Sequence, residues 1–431
     1  MKNFIIILIF LLLSTKSYSE NNLYFYIESA FKNNPKLNSE RENLKAIKQN
    51  INISRSEFLP NLTISGSQIS TESSNRINQS GSDLNDINLN TEQKKISVDQ
   101  KIFQGFSGYN SLKKSQLEYQ RANFQLRKVE QEIILDSIKA YYDLIFKTKN
   151  KKFNLQNVDL FEQQVETDKA RLQRGEINLT DLAQSESSLS GANANLISAE
   201  NDLQTAKNNF ERIIRVGSPD KFYENYDLVV DLPSDLKSSH KIAETKNPSL
   251  MIAKLDSLIS EKELSIEKAK LSPTASLNYT KSENKDFSST VDEIDEETVK
   301  ATLSWPIIKG GKNFSSVKKF THKKKQNKLI FVDAENATKT DTTTSWSTYQ
   351  SSEGVLQATK SQLKAAEIAN EGITLEYDSG NSRTTLEVIQ SRTLLLNARI
   401  AYARAQKDLI ISKFNFLAQL GNLTLESVQG L

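Results

Sequence analysis

A proline-to-proline distance of 25 residues and a glycine-to-glycine distance of 70 each occur twice in this sequence. Pro35 in "NNPKL" is followed by Pro60 in "FLP", and Pro248 in "KNPSL" by Pro273 in "LSP". Gly175 follows Gly105, and Gly380 follows Gly310, at the second distance. Two independent spacings recurring in the same order define a tandem duplication, so each half has to be one supersecondary unit. We place the halves at residues 20–215 and 241–431, with 216–240 as a connector.

Each half carries two alternating runs. After Pro60, Leu62, Ile64 and Gly66 alternate with Thr63, Ser65 and Ser67; after Pro273, Ala275, Leu277 and Tyr279 alternate with Ser276 and Asn278. The second runs are 95–103 and 299–307, where Val299, Ala301, Leu303, Trp305 and Ile307 share a parity. Period-two alternation predicts strands with one apolar face. Polar loops are expected between the runs, at 72–93 and 283–297. Pro60 and Pro273 end a helix and open a strand, and Gly105 and Gly310 mark the return to helix.

The stretches after Gly105 and Gly310 contain no helix breaker until the second glycines. At 1.5 Å per residue such an arm is roughly 100 Å long. The return helix of the first half shows apolar residues at spacings of three and four from Leu182 through Ala192, Ala199 and Phe210 to Ile213, with Ser185 alone intruding. The second half repeats this from Val388 to Phe416 and adds a neighbouring stripe from Leu386 to Leu417. Two stripes predict two helical neighbours, as in a ring of helices. The Asn-Pro helices, 24 residues or so, are expected to stack end to end on the shorter return helix of the other half, completing its length.

The amino terminus has Lys2, an apolar run from Phe4 to Leu13 and small residues at Ser17 and Ser19, a secretory signal peptide over residues 1–19. No later apolar run is long enough for a spanning helix. With no cysteine there is no disulfide framework and no thiolate metal site, and a net charge of +3 gives no nucleic-acid footprint. No nucleophile–base set, phosphate loop or metal cluster appears, so we expect no enzyme and no cofactor. His240 and His322 read as surface residues. The lysine-rich run 317–328 reads as a solvated helix face, with contact to lipid phosphate as the other reading. The acidic stretch 283–297 reads as an exposed outer loop.

Strands of about ten residues fit a tilted bilayer crossing, but four cannot close a barrel and open edges are not tolerated in lipid. A spanning sheet therefore demands an oligomer that shares one barrel. The competing readings are a trimeric coiled-coil structural or adhesive envelope protein without a pore, and a periplasmic adaptor, which would carry one hairpin and a set of small β domains.

Taken in order and twice over, "NNPKL", "FLPNL", "NPSL", "LSPTASL", "IFQGF", "IIKGG", "RLQRGEINLTDLAQSES" and "EYDSGNSRTTLEVIQSR" resemble the TolC family of outer membrane efflux and secretion channels. The resemblance implies a mainly α protomer of a homotrimer. Four strands per chain would form a shared 12-stranded β-barrel standing on a coiled-coil α-barrel in the periplasm. It implies a passive exit duct of a tripartite efflux or type I secretion system. The partners would be outer membrane lipid, a periplasmic adaptor and an inner membrane pump of RND, ABC or MFS type. It also implies a periplasmic aperture at Thr180, Asp181, Tyr377, Arg383, Glu387 and Gln390. Arg171, Leu172, Gly175, Leu375 and Gly380 would be hairpin-tip residues that meet the adaptor. A salt bridge from Arg383 to Asp181 or Glu387 is expected there. Gln390 stands where the family often has a second acid, which leaves one carboxylate per chain. The extra residue in "GNSR" is expected to turn Arg383 around its helix.

Overall fold

The structure is a computed structural model that describes residues 23–219, 222, 224–226, 228, 230–379 and 383–429. The proposed signal peptide lies outside the described residues. The elements run α1 (Leu23–Asn33), α2 (Pro35–Ser56), β1 (Asn61–Ser73), β2 (Arg76–Ile77), β3 (Asp83–Leu84), β4 (Ile87–Gln104), α3 (Ser107–Gln173) and α4 (Leu179–Ile214). They continue with α5 (Leu236–Lys246), α6 (Pro248–Ala269), β5 (Thr274–Lys285), β6 (Glu293–Ser304), α7 (Lys312–Asp378) and α8 (Thr385–Gln419), then a 3-10 turn at Glu426–Val428. The paired lengths match: 22 and 22 residues for α2 and α6, 67 and 67 for α3 and α7, 36 and 35 for α4 and α8. The chain divides into two compact units, Met1–Arg41 with Gln125–Met251 and Ala334–Leu431, and Glu42–Phe124 with Ile252–Asp333.

The second unit holds one antiparallel sheet in the order β1-β4-β5-β6, and β2 and β3 form a small separate hairpin. Its register aligns the apolar residues of all four strands. Leu62 pairs with Val98, Val98 with Tyr279 and Tyr279 with Val299; Leu277 faces Ala301, and Ala275 stands between Phe103 and Leu303. A bulge between Lys101 and Phe103 keeps Phe103 in phase with this face. The opposite face is polar, with rows such as Thr63–Ser97–Thr280–Thr298 and Asn61–Asp99–Asn278–Lys300.

The strands outrun the expectation. β4 starts at Ile87, β5 continues to Lys285 and β6 starts at Glu293, so most of the stretches expected as loops are strand. The start of β4 does alternate, Ile87 and Leu89 with Asn88 and Asn90, whereas the β5 and β6 ends are mostly polar on both faces, which hides a strand from hydropathy alternation. Cross-strand pairs hold them: Lys281 to Glu297 and Lys285 to Glu293, both at 3.3 Å. At the other end β6 stops at Ser304, so Trp305, Pro306 and Ile307 lie outside it, and Pro306 removes no ladder hydrogen bond. Gly105 has φ +58°, and a Cβ there would fall 2.5 Å from that of Ser272; both the angle and the space require glycine.

In the first unit the core gathers around α1 and the ends of α4 and α8. Tyr26, Tyr141, Tyr142, Phe210, Ile214, Ile410 and Phe414 are buried together, and Tyr26 meets the Phe210 ring edge-on at 5.3 Å. Here the function of the Asn-Pro pairs becomes visible. Asn34 is 7% exposed, accepts from the Lys36 amide and donates to the Ile213 carbonyl at the end of α4. Asn247 accepts from the Leu250 amide and donates to the Gln419 carbonyl at the end of α8. Each asparagine caps the helix it starts and ties it to a return helix whose last carbonyls need donors. The return helix is that of the same half, which corrects the expected stacking on the other half.

His322 is exposed as expected. His240 is half-buried, with Nε2 3.4 Å from the Thr343 hydroxyl. Among the described residues no helix is long and apolar enough to cross a membrane, and no group of His, Cys, Asp and Glu could hold a metal ion.

Candidate functional site

The turn from α3 to α4 and the approach from α7 to α8 come together in the first unit. α3 ends in a glycine turn: Gly175, at φ +74°, donates to Leu172, and Glu176 donates to Arg171. α4 and α8 then start with the same device. Asn178 accepts from the Asp181 amide at 3.0 Å while its own amide donates to the Asp181 carboxylate at 3.3 Å. Thr384 and Glu387 repeat this at 3.3 and 2.8 Å. Both are capping boxes, and Asp181 and Glu387 both stand at the third helical position, where the helix dipole also favours an anion.

The extra residue of the second half is thus absorbed before the cap. Arg383 precedes Thr384 and is outside the helix, which corrects the expectation that it would be turned around it. Its guanidinium donates to Glu376 at 2.6 Å and to Glu387 at 3.0 Å. Of the two partners expected for it, the structure selects Glu387, and Glu376 is an addition that the sequence reading missed. Glu387 is held below the usual carboxylate range, first by the Thr384 backbone amide and then by Arg383. Thr180 on the first turn of α4 and Gln390 on the second turn of α8 are exposed.

Tyr377 is the centre of this region and is 4% exposed. Its hydroxyl donates to Asp168 at 2.9 Å and lies 3.0 Å from Thr385 Oγ1. The Arg171 guanidinium lies over its ring at 4.2 Å and donates to its carbonyl at 3.3 Å. Burial foremost, with the Asp168 carboxylate adding to it and Thr385 opposing, holds the Tyr377 phenol above its ordinary range. Of the other tip residues, Leu172 is half-buried, Leu375 is exposed and Gly380 is outside the described residues. A cavity of about 440 Å³ lies between Arg171, Asp181, Tyr377, Arg383 and Thr385. A larger one of about 800 Å³, lined by Tyr226, Trp346, Tyr349 and Tyr402, contains none of these residues.

Asp168 is the residue that sequence reasoning did not find. It is fully buried. Gln164, Tyr377 and Ser185 all donate to its carboxylate, at 2.9, 2.9 and 2.5 Å. With Thr385 beyond Tyr377, the network spans α3, α4, α7 and α8. Arg392 adds a second tie, donating from α8 to the Leu160 carbonyl on α3 at 2.9 Å, and burial pulls its affinity for the proton down. The clue was present in the seam. Val158, Phe161, Val165 and Asp168 run at spacings of three and four, and Ser185 was the one polar residue in the stripe facing them. A polar residue in each of two facing apolar seams is the signature of a buried pair.

The lowered Glu387 titration gives a signed expectation. A carboxylate held below its unfolded value stabilises the fold above that value and ceases to do so only as pH falls through the lowered one. From pH 8 to pH 5 the α8 cap should therefore stay intact. Hydrogen–deuterium exchange at 384–388, corrected for intrinsic rates, should show unchanged protection over that range.

A four-stranded sheet apolar on one face, joined to two long helical hairpins, defines a subunit of a membrane-embedded channel. The sequence profile described as outer membrane efflux protein matches residues 26–214 and 241–422, and the chain belongs to that family. It is similar to the outer membrane efflux protein BepC of Brucella suis, 24% identical over 401 residues covering 93% of this chain and 85% of that one. It is likewise similar to the outer membrane protein TolC of Escherichia coli, 23% identical over 97% of this chain and 85% of that one. Among solved structures it superimposes on the CmeC outer membrane channel of Campylobacter jejuni with a TM-score of 0.83 at 13% identity, covering 95% and 89% of the two chains. The chain is an outer membrane efflux channel protein.

Proposed function

We propose that three copies of this chain close one twelve-stranded barrel and form the passive exit duct of a tripartite efflux or type I secretion system. The observation that carries this is the sheet itself. It has two unpaired edges, β1 and β6, in a protein of the outer membrane. Unpaired backbone groups in lipid cost several kcal/mol each, so edges must meet edges of other copies. Four strands per copy give totals of eight, twelve or sixteen, and the TolC-like motifs favour twelve. The export signal proposed for residues 1–19 and the two halves with their connector at 216–240 fit this reading.

In this reading a periplasmic adaptor meets the hairpin tips at Arg171, Leu172, Gly175, Leu375 and Gly380. A separate inner membrane pump of RND, ABC or MFS type supplies the cargo. Thr180, Asp181, Tyr377, Arg383, Glu387 and Gln390 line the aperture, held shut by weak polar links that differential binding of the adaptor can outweigh. The Arg383 links are exposed and screened, so they contribute little. The buried Tyr377 bonds contribute more.

The test is the mass of the detergent-extracted protein together with its single-channel conductance in a planar bilayer. A trimer giving small, stable steps is the expected result; a folded trimer that gives none would favour a structural tether. Tyr377→Phe should raise the conductance more than Glu387→Ala, and Glu387→Ala more than Arg383→Ala. The reverse order would remove the buried hydroxyl from the gate.

A further inference from the structure

The apolar face of the sheet does not stop where β6 stops. Trp305, Ile307 and Ile308 follow Leu303 and are 62%, 70% and 86% exposed, and Phe314 in the first turn of α7 is 65% exposed. Residues this apolar and this exposed, continuous with a membrane-facing strand, extend the lipid contact to the periplasmic interface, where aromatic residues collect. Lys309, Lys312, Lys318 and Lys319 come directly after them, all exposed. Among the described residues none of these four forms an ion pair. Glu267, the acid whose titration Lys319 influences, is occupied by Lys270 and Ser316.

The depth fits. Lys319 is seven residues into α7, about 10 Å along its axis from Lys312. The interfacial layer on each side of a bilayer is about 6 Å thick, and a lysine side chain snorkels a comparable distance. The lysines further along differ: Lys324 is paired with Glu261 at 2.8 Å, and Lys323, Lys325 and Lys328 lie deeper along the helix. The corresponding β4–α3 junction of the first half has the same apolar character in Phe106 and Tyr109, but there Lys114 is neutralised by Glu118 and Glu263 and Lys113 lies over the Tyr109 ring.

We propose that the β6–α7 junction binds the phosphodiester headgroups of anionic phospholipid in the periplasmic leaflet of the outer membrane. Lys309, Lys312, Lys318 and Lys319 hold the headgroup below the collar of Trp305, Ile307 and Ile308. The inference rests on the outer-membrane reading but not on trimer number, gate or pump. Charge complementarity and continuity with the lipid-facing rows select this occupant. A basic cluster against a membrane surface gains roughly five-fold in binding per lysine.

The experiment is native mass spectrometry of the full-length assembled protein, titrated with palmitoyl-oleoyl phosphatidylglycerol or phosphatidylcholine at equal concentration. Wild type should retain the anionic lipid preferentially. The fourfold variant Lys309→Gln, Lys312→Gln, Lys318→Gln, Lys319→Gln should lower phosphatidylglycerol occupancy to the phosphatidylcholine level. Lys323→Gln, Lys325→Gln, Lys328→Gln should leave it unchanged. A fourfold variant that keeps the preference, or a deeper triple variant that loses it, overturns the proposal. Inorganic phosphate should not displace the lipid; displacement would mean a simple anion site. If the fourfold variant does not assemble, the single variants Lys318→Gln and Lys319→Gln are read by the same criteria, about five-fold each. Assembly mass and phosphatidylcholine adducts in the same spectra report separately on whether the protein is an intact membrane channel.

Discussion

Asp168→Ala should open the proposed duct more than any substitution at the exposed residues proposed for its aperture. The carboxylate accepts from Gln164, Ser185 and Tyr377, and all four groups are buried. Truncation leaves three donors without an acceptor, while relieving the cost of a buried charge. Hydrogen bonds to charged groups contribute about 1.5–3 kcal/mol each, and the net loss should be about 2–4 kcal/mol. If the latch holds the closed state, that loss raises the open population by about thirty-fold or more. Conductance of the purified protein at neutral pH reads this directly. Asp168→Asn, which keeps the volume and one acceptor, should fall between wild type and Asp168→Ala. Because Tyr377→Phe removes a bond that Asp168→Ala has already broken, the double variant should be no more open than Asp168→Ala. Additive effects would show that the two residues act separately.

The second large effect is expected in the sheet, and it depends on one residue of register. Leu277 lies on the apolar face beside Ala301, and Asn278 lies on the polar face between Asp99 and Lys300. An arginine on the lipid side of a barrel strand costs about 2–4 kcal/mol near the bilayer midplane, and every copy in the proposed shared barrel incurs it. Leu277→Arg should therefore abolish assembled protein in the outer membrane fraction, while Asn278→Arg should assemble and alter only conductance. Equal tolerance of the two would mean that the apolar face does not meet lipid.

These expectations also mark what could be read from sequence. The two spacings located the paired helices and strands because proline and glycine act locally, through φ and the missing amide. Alternation located the middle of each strand, where one face is apolar. It failed at 281–285 and 293–298, because a strand held by backbone ladders and Lys–Glu pairs has no hydropathy period; at 87–90 the period is present in Ile87 and Leu89, but two apolar residues are too few to define a strand. The residues proposed for the aperture were picked through the TolC-like motifs, and their hydrogen-bond partners were not foreseen. Asp181 and Glu387 each depend on a capping partner three residues earlier, a spacing of the capping-box type that the sequence does contain. Asp168 and Ser185 required knowing that two seams face each other, which is tertiary information. The direction of the Asn34 and Asn247 ties was missed for the same reason: stacking order between halves has no local correlate.

The Thr384 capping box has a consequence for engineering. It restarts the helix at a defined residue, so the phase of Val388, Leu395 and Ala398 is set from Thr384 and not from the end of α7. The number of residues between Asp378 and Thr384 is therefore decoupled from the seam of α8, as the extra residue of the second half already illustrates. That segment is the natural place to insert a short reporter, such as an epitope or a cysteine for a fluorophore, while the apolar stripe behind it keeps its register.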